Sequence, residues 1–357
     1  MEIIKNMKIL ITGIGGPTPK GIAKSIKEAY PNAYIVGVDA NKFAPGHYCG
    51  FPFDKTYLVP NATTDETLYV EKMNDIIQKE AIQYAFVVPE TEVLIWSKLK
   101  EESKMPCDSL IPNAKVATFI FDKLNVANIL LEHCLTPLTL NITDYSIVNL
   151  EIIGSQLNYP YWVRVNKSAG AIGALKINSI DDIINWTKFN GNEDGLIAST
   201  YLPGKNYACK LLYKEGKLIV SAAAERIEYL LANAAPSKIS GMCSRGKLIN
   251  NIELFDSSVL ALEIIFKKYK LPIEGMFTVD FKEDINGIPK ITEINIRHVS
   301  FTNAFALAGV NFAEKTIEAF VYNKKINLGY QIFKEEYNFL RGVDNELIIF
   351  SENDIID

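Results

Sequence analysis

The stretch Met276-Phe277-Thr278-Val279-Asp280-Phe281-Lys282-Glu283-Asp284-Ile285-Asn286-Gly287-Ile288-Pro289-Lys290-Ile291-Thr292-Glu293-Ile294-Asn295-Ile296-Arg297 decides how this chain is read. Apolar and polar residues alternate on both sides of Asn286-Gly287, a pair typical of two-residue hairpin turns. A turn at those two residues sets Asp280 directly opposite Glu293. Asn295, two residues further on, shares Glu293's face. A longer, bulged loop near Pro289 would break this register. Two carboxylates opposed on a sheet repel. One remedy is a divalent cation: Asp, Glu and Asn offer hard oxygen ligands, and Mg²⁺ commonly takes one or two carboxylates with phosphates and waters. The other reading is a solvated hairpin face that tolerates the pair. Arg297 and Asn303 nearby suit a site for a transferring phosphoryl group.

Upstream of the hairpin, short apolar strands alternate with helical patterns from Lys8 to about Pro112. That order implies an open parallel α/β sheet. Gly13 to Gly16 punctuate the first strand, and Asp65 is placed to cap a helix carrying Leu68, Met73, Ile76 and Ile77. A helical stretch covers about 116–133. From Tyr161 the texture is strands around loops, with Glu215-Gly216 as a second hairpin turn. Asp256 is placed to cap an amphipathic helix with Val259, Leu262, Phe266 and Tyr269 on one stripe. The fold class expected is mixed α/β and α+β.

With 357 residues, 48% hydrophobic and 22% charged, the chain can bury two or three packed domains. The net charge of -5, without a basic tract, argues against nucleic acid or an anionic membrane as partner. No apolar run is long enough to span a bilayer. The residues 1–8 lack a signal peptide's cleavage site. Five scattered cysteines without a CxxC pair suit a reducing cytoplasm, and three scattered histidines make zinc improbable.

Glu293-Ile294-Asn295-Ile296-Arg297, followed by Ala308-Gly309-Val310-Asn311, resembles the ATP-grasp signature of the carbamoyl-phosphate synthase large subunit and related carboxylate-amine ligases. The resemblance covers about Lys8 to Val321. It implies an ATP-grasp architecture behind a Rossmann-like pre-ATP-grasp domain. The units expected are 1–112 for that domain, 113–200 for one grasp subdomain, and 201–357 for the other. It implies ATP with Mg²⁺, or Mn²⁺ in its place, held by Asp280, Glu293 and Asn295. It gives Arg297 the γ-phosphate or acyl-phosphate, and Arg226 the substrate or intermediate. A surface salt bridge is the plain alternative for Arg226.

Further matches carry the nucleotide. Asp122-Lys123 resembles the family's helix start, whose lysine reaches phosphates; alone, Lys123 reads as a solvated helix lysine. Arg164 resembles the strand cation that contacts nucleotide. The loop 166–173, with Gly170 and Gly173, resembles the small-residue lid over the phosphates. Thr200-Tyr201-Leu202 resembles the hinge that reads the adenine edge through backbone groups. Thr200 and Asn206 stand where acids are usual, and Lys210 stands where an acid is frequent.

Gly13-Ile14-Gly15 with Asp39 also invites a dinucleotide-binding reading. Thr18 sits where the third glycine belongs, and Pro17 and Pro19 stiffen the loop. An anionic substrate group at this helix N-terminus is a further option. Glu90 and Glu92 lie at a strand's carboxyl end and suit either a substrate amine or an ordinary helix start.

The expected activity is ATP-dependent joining of a small-molecule carboxylate to an amine through an acyl-phosphate, in the cytoplasm. A non-catalytic ATP-binding regulator, an NAD-dependent oxidoreductase and a kinase-like ATP-grasp protein remain as alternatives. The sequence does not name the substrates. A homodimer through the first domain is compatible with it.

Overall fold

A computed structural model describes residues 7–168, 173–190, 195–342 and 347–351. The chain begins with β1 (Lys8–Thr12), α1 (Pro17–Ala29), β2 (Tyr34–Asp39), β3 (Lys55–Leu58), α2 (Glu66–Glu80), β4 (Tyr84–Phe86) and α3 (Glu90–Glu101). The four strands form a parallel sheet in the order β3-β2-β1-β4. β1 and β4 sit at the switch point of that order. The Gly13 loop and the start of α3 therefore share the carboxyl edge where open α/β sheets place ligands. Asp65 caps α2 by accepting Leu68 N–H at 2.9 Å, as its position predicts.

The helical stretch expected over 116–133 is two helices, α4 (Ala114–Phe121) and α5 (Lys123–Leu131). Asp122 breaks the run and accepts the Asn125 N–H at 3.1 Å, which makes Lys123 the first residue of α5. The chain continues through β5 (Thr139–Ile142), α6 (Ile147–Leu157), β6 (Tyr161–Val165), β7 (Leu175–Ile177), α7 (Ile180–Asn190) and β8 (Leu196–Thr200). These strands make a small antiparallel sheet, ordered β5-β8-β6-β7, around Leu150, Ile153, Val163 and Ile183.

The remaining elements are β9 (Asn206–Lys214), β10 (Lys217–Tyr229), β11 (Cys243–Ile249), α8 (Ile252–Tyr269), β12 (Gly275–Glu283), β13 (Pro289–Asn295), α9 (Thr302–Leu307), α10 (Phe312–Phe320), β14 (Gly329–Tyr330), β15 (Tyr337–Arg341) and β16 (Leu347–Ser351). They form the large sheet, β13-β12-β9-β10-β11-β15-β16, with β14 beside β10. Helix α8 starts at Asn251, whose side chain accepts Leu254 N–H at 3.1 Å. Asp256 lies inside the helix and is not its cap, because Ile252 and Glu253 extend the helical run by a turn.

Two cores flank the large sheet. On one face Leu211, Phe277 and Val279 pack with α4, α5 and α8. On the other, Ala208, Leu212 and Met276 pack with Phe305 and Phe312 of α9 and α10. The Glu215-Gly216 turn joins β9 to β10 with positive φ at both residues (50° and 78°), as a type I′ turn requires. Among the described residues, no helix is long and apolar enough to cross a membrane.

Candidate functional site

The hairpin of β12 and β13 holds Asp280 opposite Glu293, and Thr278 opposite Asn295. Its turn differs from the two-residue turn expected. Asp284 pairs with Ile288 across the three residues Ile285, Asn286 and Gly287, and Gly287 takes φ +78°. This is a type I turn closed by a left-handed glycine, which moves the register by one. A bulge at Thr292 moves it back. The carboxylates meet because two irregularities cancel.

Register then builds one face of the large sheet. Ala224, Ala208, Asp280 and Glu293 lie side by side across β10, β9, β12 and β13. The two alanines are fully buried in the core beneath α9 and α10. Arg226 enters the same face from β10 and donates to Asp280 Oδ1 at 2.6 Å. Asn295 Nδ2 donates to Asp280 Oδ2 at 3.2 Å and to Glu293 Oε1 at 3.3 Å, so the two acids face one amide.

The other cations come from separate elements. Arg164 on β6 donates to the carbonyl of the bulged Thr292 and lies 3.5 Å from Glu293 Oε2. Lys123 donates to the carbonyl oxygens of Asn166 (3.0 Å) and Ser168. Asp122 accepts from Asn166 Nδ2 at 3.0 Å, which ties the start of α5 to the chain after β6. Arg297 donates to His298 O and lies 3.8 Å from Glu90 of α3. Glu90 lines a small cavity with Lys123, Glu293 and Asn295.

Burial raises the Asp280 carboxyl to about 6 even with Arg226 beside it. The same pairing holds Arg226 well above its ordinary value, although burial works the other way. Burial also pushes Glu293 up, but Lys123, Arg164, Arg226 and Arg297 together hold it below the usual glutamate value.

A cleft of about 400 Å³ takes in Asp280, Glu293, Arg164, Arg226 and Arg297, with Lys123 and Glu90 in the small cavity beside it. One end is apolar, walled by Val126, Pro137, Trp162, Leu202, Phe281 and Ile291. The middle carries Arg164, Asp280, Glu293 and Asn295. The far end holds Arg226, Tyr229, Met242, Cys243, Arg297 and Ser300.

No protein-family model and no curated protein sequence matches the chain. Solved structures do. N5-carboxyaminoimidazole synthetase from Staphylococcus aureus, complexed with ADP, superposes with a TM-score of 0.70 at 16% identity, over 94% of this chain and 82% of that one. The biotin carboxylase domain of Hydrogenobacter thermophilus 2-oxoglutarate carboxylase, with MgADP, ADP and bicarbonate, gives 0.68 at 14% identity, over 94% and 74%. L-amino acid ligase from Bacillus licheniformis gives 0.66 at 13% identity, over 96% and 80%. The chain has the ATP-grasp fold.

In this ATP-grasp cleft, Thr200, Tyr201, Leu202 and Asn206 all line the apolar end. Asn206 Oδ1 receives Lys282 Nζ at 3.4 Å, and Lys282 also donates to Gly204 O at 2.8 Å. Gly173 takes φ +65°, where an added Cβ would fall 2.6 Å from Val165 Cγ2. Gly170 lies outside the described residues.

Lys210 is not brought to the cleft, contrary to the expectation of nucleotide contact. It shares the face of Asp280 but stands one step further from the hinge, where α9 covers the sheet. Its side chain is 0% exposed, with Nζ 2.6 Å from Thr302 Oγ1 and 3.3 Å from His298 Nδ1. Burial pushes both Lys210 and His298 well below their ordinary values. Both bind protons less readily folded than unfolded. Stability from His298 is therefore present at neutral pH and lost as pH falls below the ordinary histidine range. Lys210→Met is expected to leave ATP binding unchanged and to stabilise the fold by about 1–4 kcal/mol, as when a buried charge gives way to a packed apolar chain. Urea denaturation and ATP titration of the variant measure the two outcomes.

The Gly13 loop is occupied by the protein itself. Asp39 accepts Gly15 N–H at 2.8 Å and Asn41 N–H at 2.8 Å, so its carboxylate is engaged locally where a ribose contact was the alternative. Pro17 and Pro19 remove two donors from the first turn of α1. Glu92 accepts from Tyr69 at 2.7 Å and is raised to about 7 by burial. Lys282, Trp162, Tyr229 and 239–243 also line the cleft, with no local signal to mark them. Lys282 and Trp162 sit in ordinary strand alternation, and 239–243 follow a connection without periodicity.

The residues present fit a Mg²⁺-nucleotide. Asp280, Glu293 and Asn295 meet in the cleft, and their side chains carry hard oxygen donors of the kind Mg²⁺ takes. The buried Nε atoms of Arg164 and Arg226 have no hydrogen-bond partner among the described residues, so the cleft's cations retain capacity for anions.

Proposed function

We propose that this chain is an ATP-dependent ligase that joins a small-molecule carboxylate to an amine and releases ADP and phosphate. The observation that carries the reading is the pair Asp280 and Glu293 on one open sheet face, ringed by Lys123, Arg164, Arg226 and Arg297. In this reading 1–112 supplies one wall of the acceptor end, while 113–200 and 201–357 enclose the nucleotide.

Asp280, Glu293 and Asn295 would hold Mg²⁺, or Mn²⁺, which when bound offsets phosphate charge and orients the phosphates. Tyr201 and Leu202 read the adenine edge, with Thr200 and Asn206 beside it. Arg164 and Lys123 hold phosphate oxygens. A substrate carboxylate oxygen attacks the γ-phosphorus, the bond to the β-phosphate oxygen breaks, and ADP leaves. Arg297 and Arg226 stabilise charge on the transferring group and on the acyl-phosphate. The amine then attacks the acyl carbon, loses a proton, and phosphate departs with its oxygen.

ADP release with pooled carboxylates and amines tests the reading. Tight ATP binding without ADP release from any acid would favour a non-catalytic regulator, a role that the neutral Thr200 and Asn206 at the hinge also suit. Asp280 must be ionised to hold the cation, so turnover should rise through an acid limb near pH 6. Saturating Mg²⁺ should move that limb lower, because cation binding favours the carboxylate. A pH–rate profile at two Mg²⁺ concentrations measures both; a limb indifferent to Mg²⁺ assigns it elsewhere.

A further inference from the structure

Tyr229 reaches the cleft through an irregularity in the large sheet. Between β10 and β11, Arg226 stands opposite Gly246, Glu228 opposite Arg245 and Tyr229 opposite Cys243. Ile227 is therefore an extra residue in β10, and Ser244 an extra one in β11. Unbroken alternation would put Glu228 on the face of Arg226 and turn Tyr229 away from it. The bulge reverses this, as bulges beside active sites do when they re-aim a side chain. Glu228 is exposed and pairs with Arg245 at 3.3 Å, whereas Arg226 and Tyr229 both line the far end of the cleft. The phenol hydroxyl meets the Arg226 guanidinium, which also donates to Asp280 Oδ1 at 2.6 Å. A guanidinium has donors only, so the phenol oxygen accepts there and its own proton is left to donate. Accepting from a cation strengthens that O–H as a donor. Burial raises Tyr229 to about 12 even against Arg226, so the hydroxyl keeps its proton through neutral pH.

Negative charge has to be met in two places during the ligase reaction. Arg226 and Arg297 serve the phosphoryl group and its oxygens. The acyl oxygen becomes an oxyanion only when the amine attacks, and a fixed donor aimed at it is what that step needs. We infer that Tyr229 is a catalytic residue of this second step, donating its O–H to the acyl oxygen. The inference rests on the ligase reading above. The amine lone pair forms the N–C bond, and the carbonyl π pair moves onto oxygen, where the Tyr229 O–H stabilises it without giving up its proton. The pair returns as the C–O bond to phosphate breaks, and the nitrogen proton passes to solvent. Forming the acyl-phosphate creates no oxyanion on the acyl carbon, so the first step does not call on the hydroxyl.

The test uses the full chain, the acid that releases most ADP from the pooled acids, and hydroxylamine as the amine. ATP carrying heavy oxygen in the bridge between its β- and γ-phosphorus atoms reports the first step, because the label scrambles when the acyl-phosphate forms and reverts. Hydroxamate reports the second step. Tyr229→Phe keeps the ring and removes the donor. It should raise the ratio of scrambling to hydroxamate by about 100-fold, the scale of losing one donor to an oxyanion. The ratio measures how the acyl-phosphate divides between return and capture, so it does not depend on which step limits turnover.

An unchanged ratio overturns the inference. If both steps persist, the hydroxyl takes no part; if both fall together, it serves only to set Arg226 or the fold, and a melting curve of Tyr229→Phe tells those two apart. The ligase reading fails in a different way, when the natural protein neither scrambles the label nor makes hydroxamate with any acid. That result removes the step assigned to Tyr229 and overturns the inference with it.

Discussion

Glu293→Gln is expected to lower ADP release by about 10²- to 10³-fold, the scale of removing one electrostatic contact to a transferring group. The substitution keeps the shape of the side chain and removes its charge. Glu293 is held below the usual glutamate value by four cations that surround it. Without it, Arg164 loses its 3.5 Å partner but keeps its bond to Thr292 O. Asp280 is then the one carboxylate left on this sheet face, and Mg²⁺ affinity should fall with turnover. The melting temperature should change by only a few degrees, because the backbone pairing of Asp280 with position 293 does not involve the side chain. ADP release as a function of Mg²⁺ and a melting curve measure these outcomes. Activity near that of the natural protein would sink the metal assignment.

Arg226→Met should destabilise the fold by about 3–5 kcal/mol, because it leaves Asp280 buried without its partner. Asp280 is 5% exposed and already raised to about 6 with Arg226 in place. Losing the arginine raises it further. A carboxyl raised above its unfolded value stabilises the folded state at low pH, and that contribution is lost as pH rises through the folded value. The variant should therefore look nearly normal at pH 5 and weak at pH 8. Adding Asp280→Asn should restore most of the loss at pH 8, since the pair is then replaced by neutral groups. Urea denaturation of both variants at the two pH values decides it. A loss independent of pH would mean that Arg226 matters through packing on Phe301, whose ring lies 5.4 Å away, and not through Asp280.

The alternation around Gly287 made the hairpin legible, and Asp280 does oppose Glu293. The route to that pairing was not legible. A three-residue loop and a bulge at Thr292 each shift the register by one, and nothing local distinguishes their cancellation from a simple turn. Lys210 shows the converse. Its strand face followed from alternation, but whether that part of the face is open or covered depends on α9, some ninety residues away in the chain.

By itself the sequence determined the alternating elements, the carboxylate pair and its shared face with Asn295, since these follow from strand period over short separations. It also carried the ATP-grasp signature. Only the tertiary structure decided which cations reach the pair. Arg164 comes from another sheet, Lys123 from a helix start, Arg226 from two strands away and Arg297 from beyond the hairpin. Their meeting depends on how two sheets and a helix pack, and packing is set by side chains distant in sequence whose contacts no local pattern encodes.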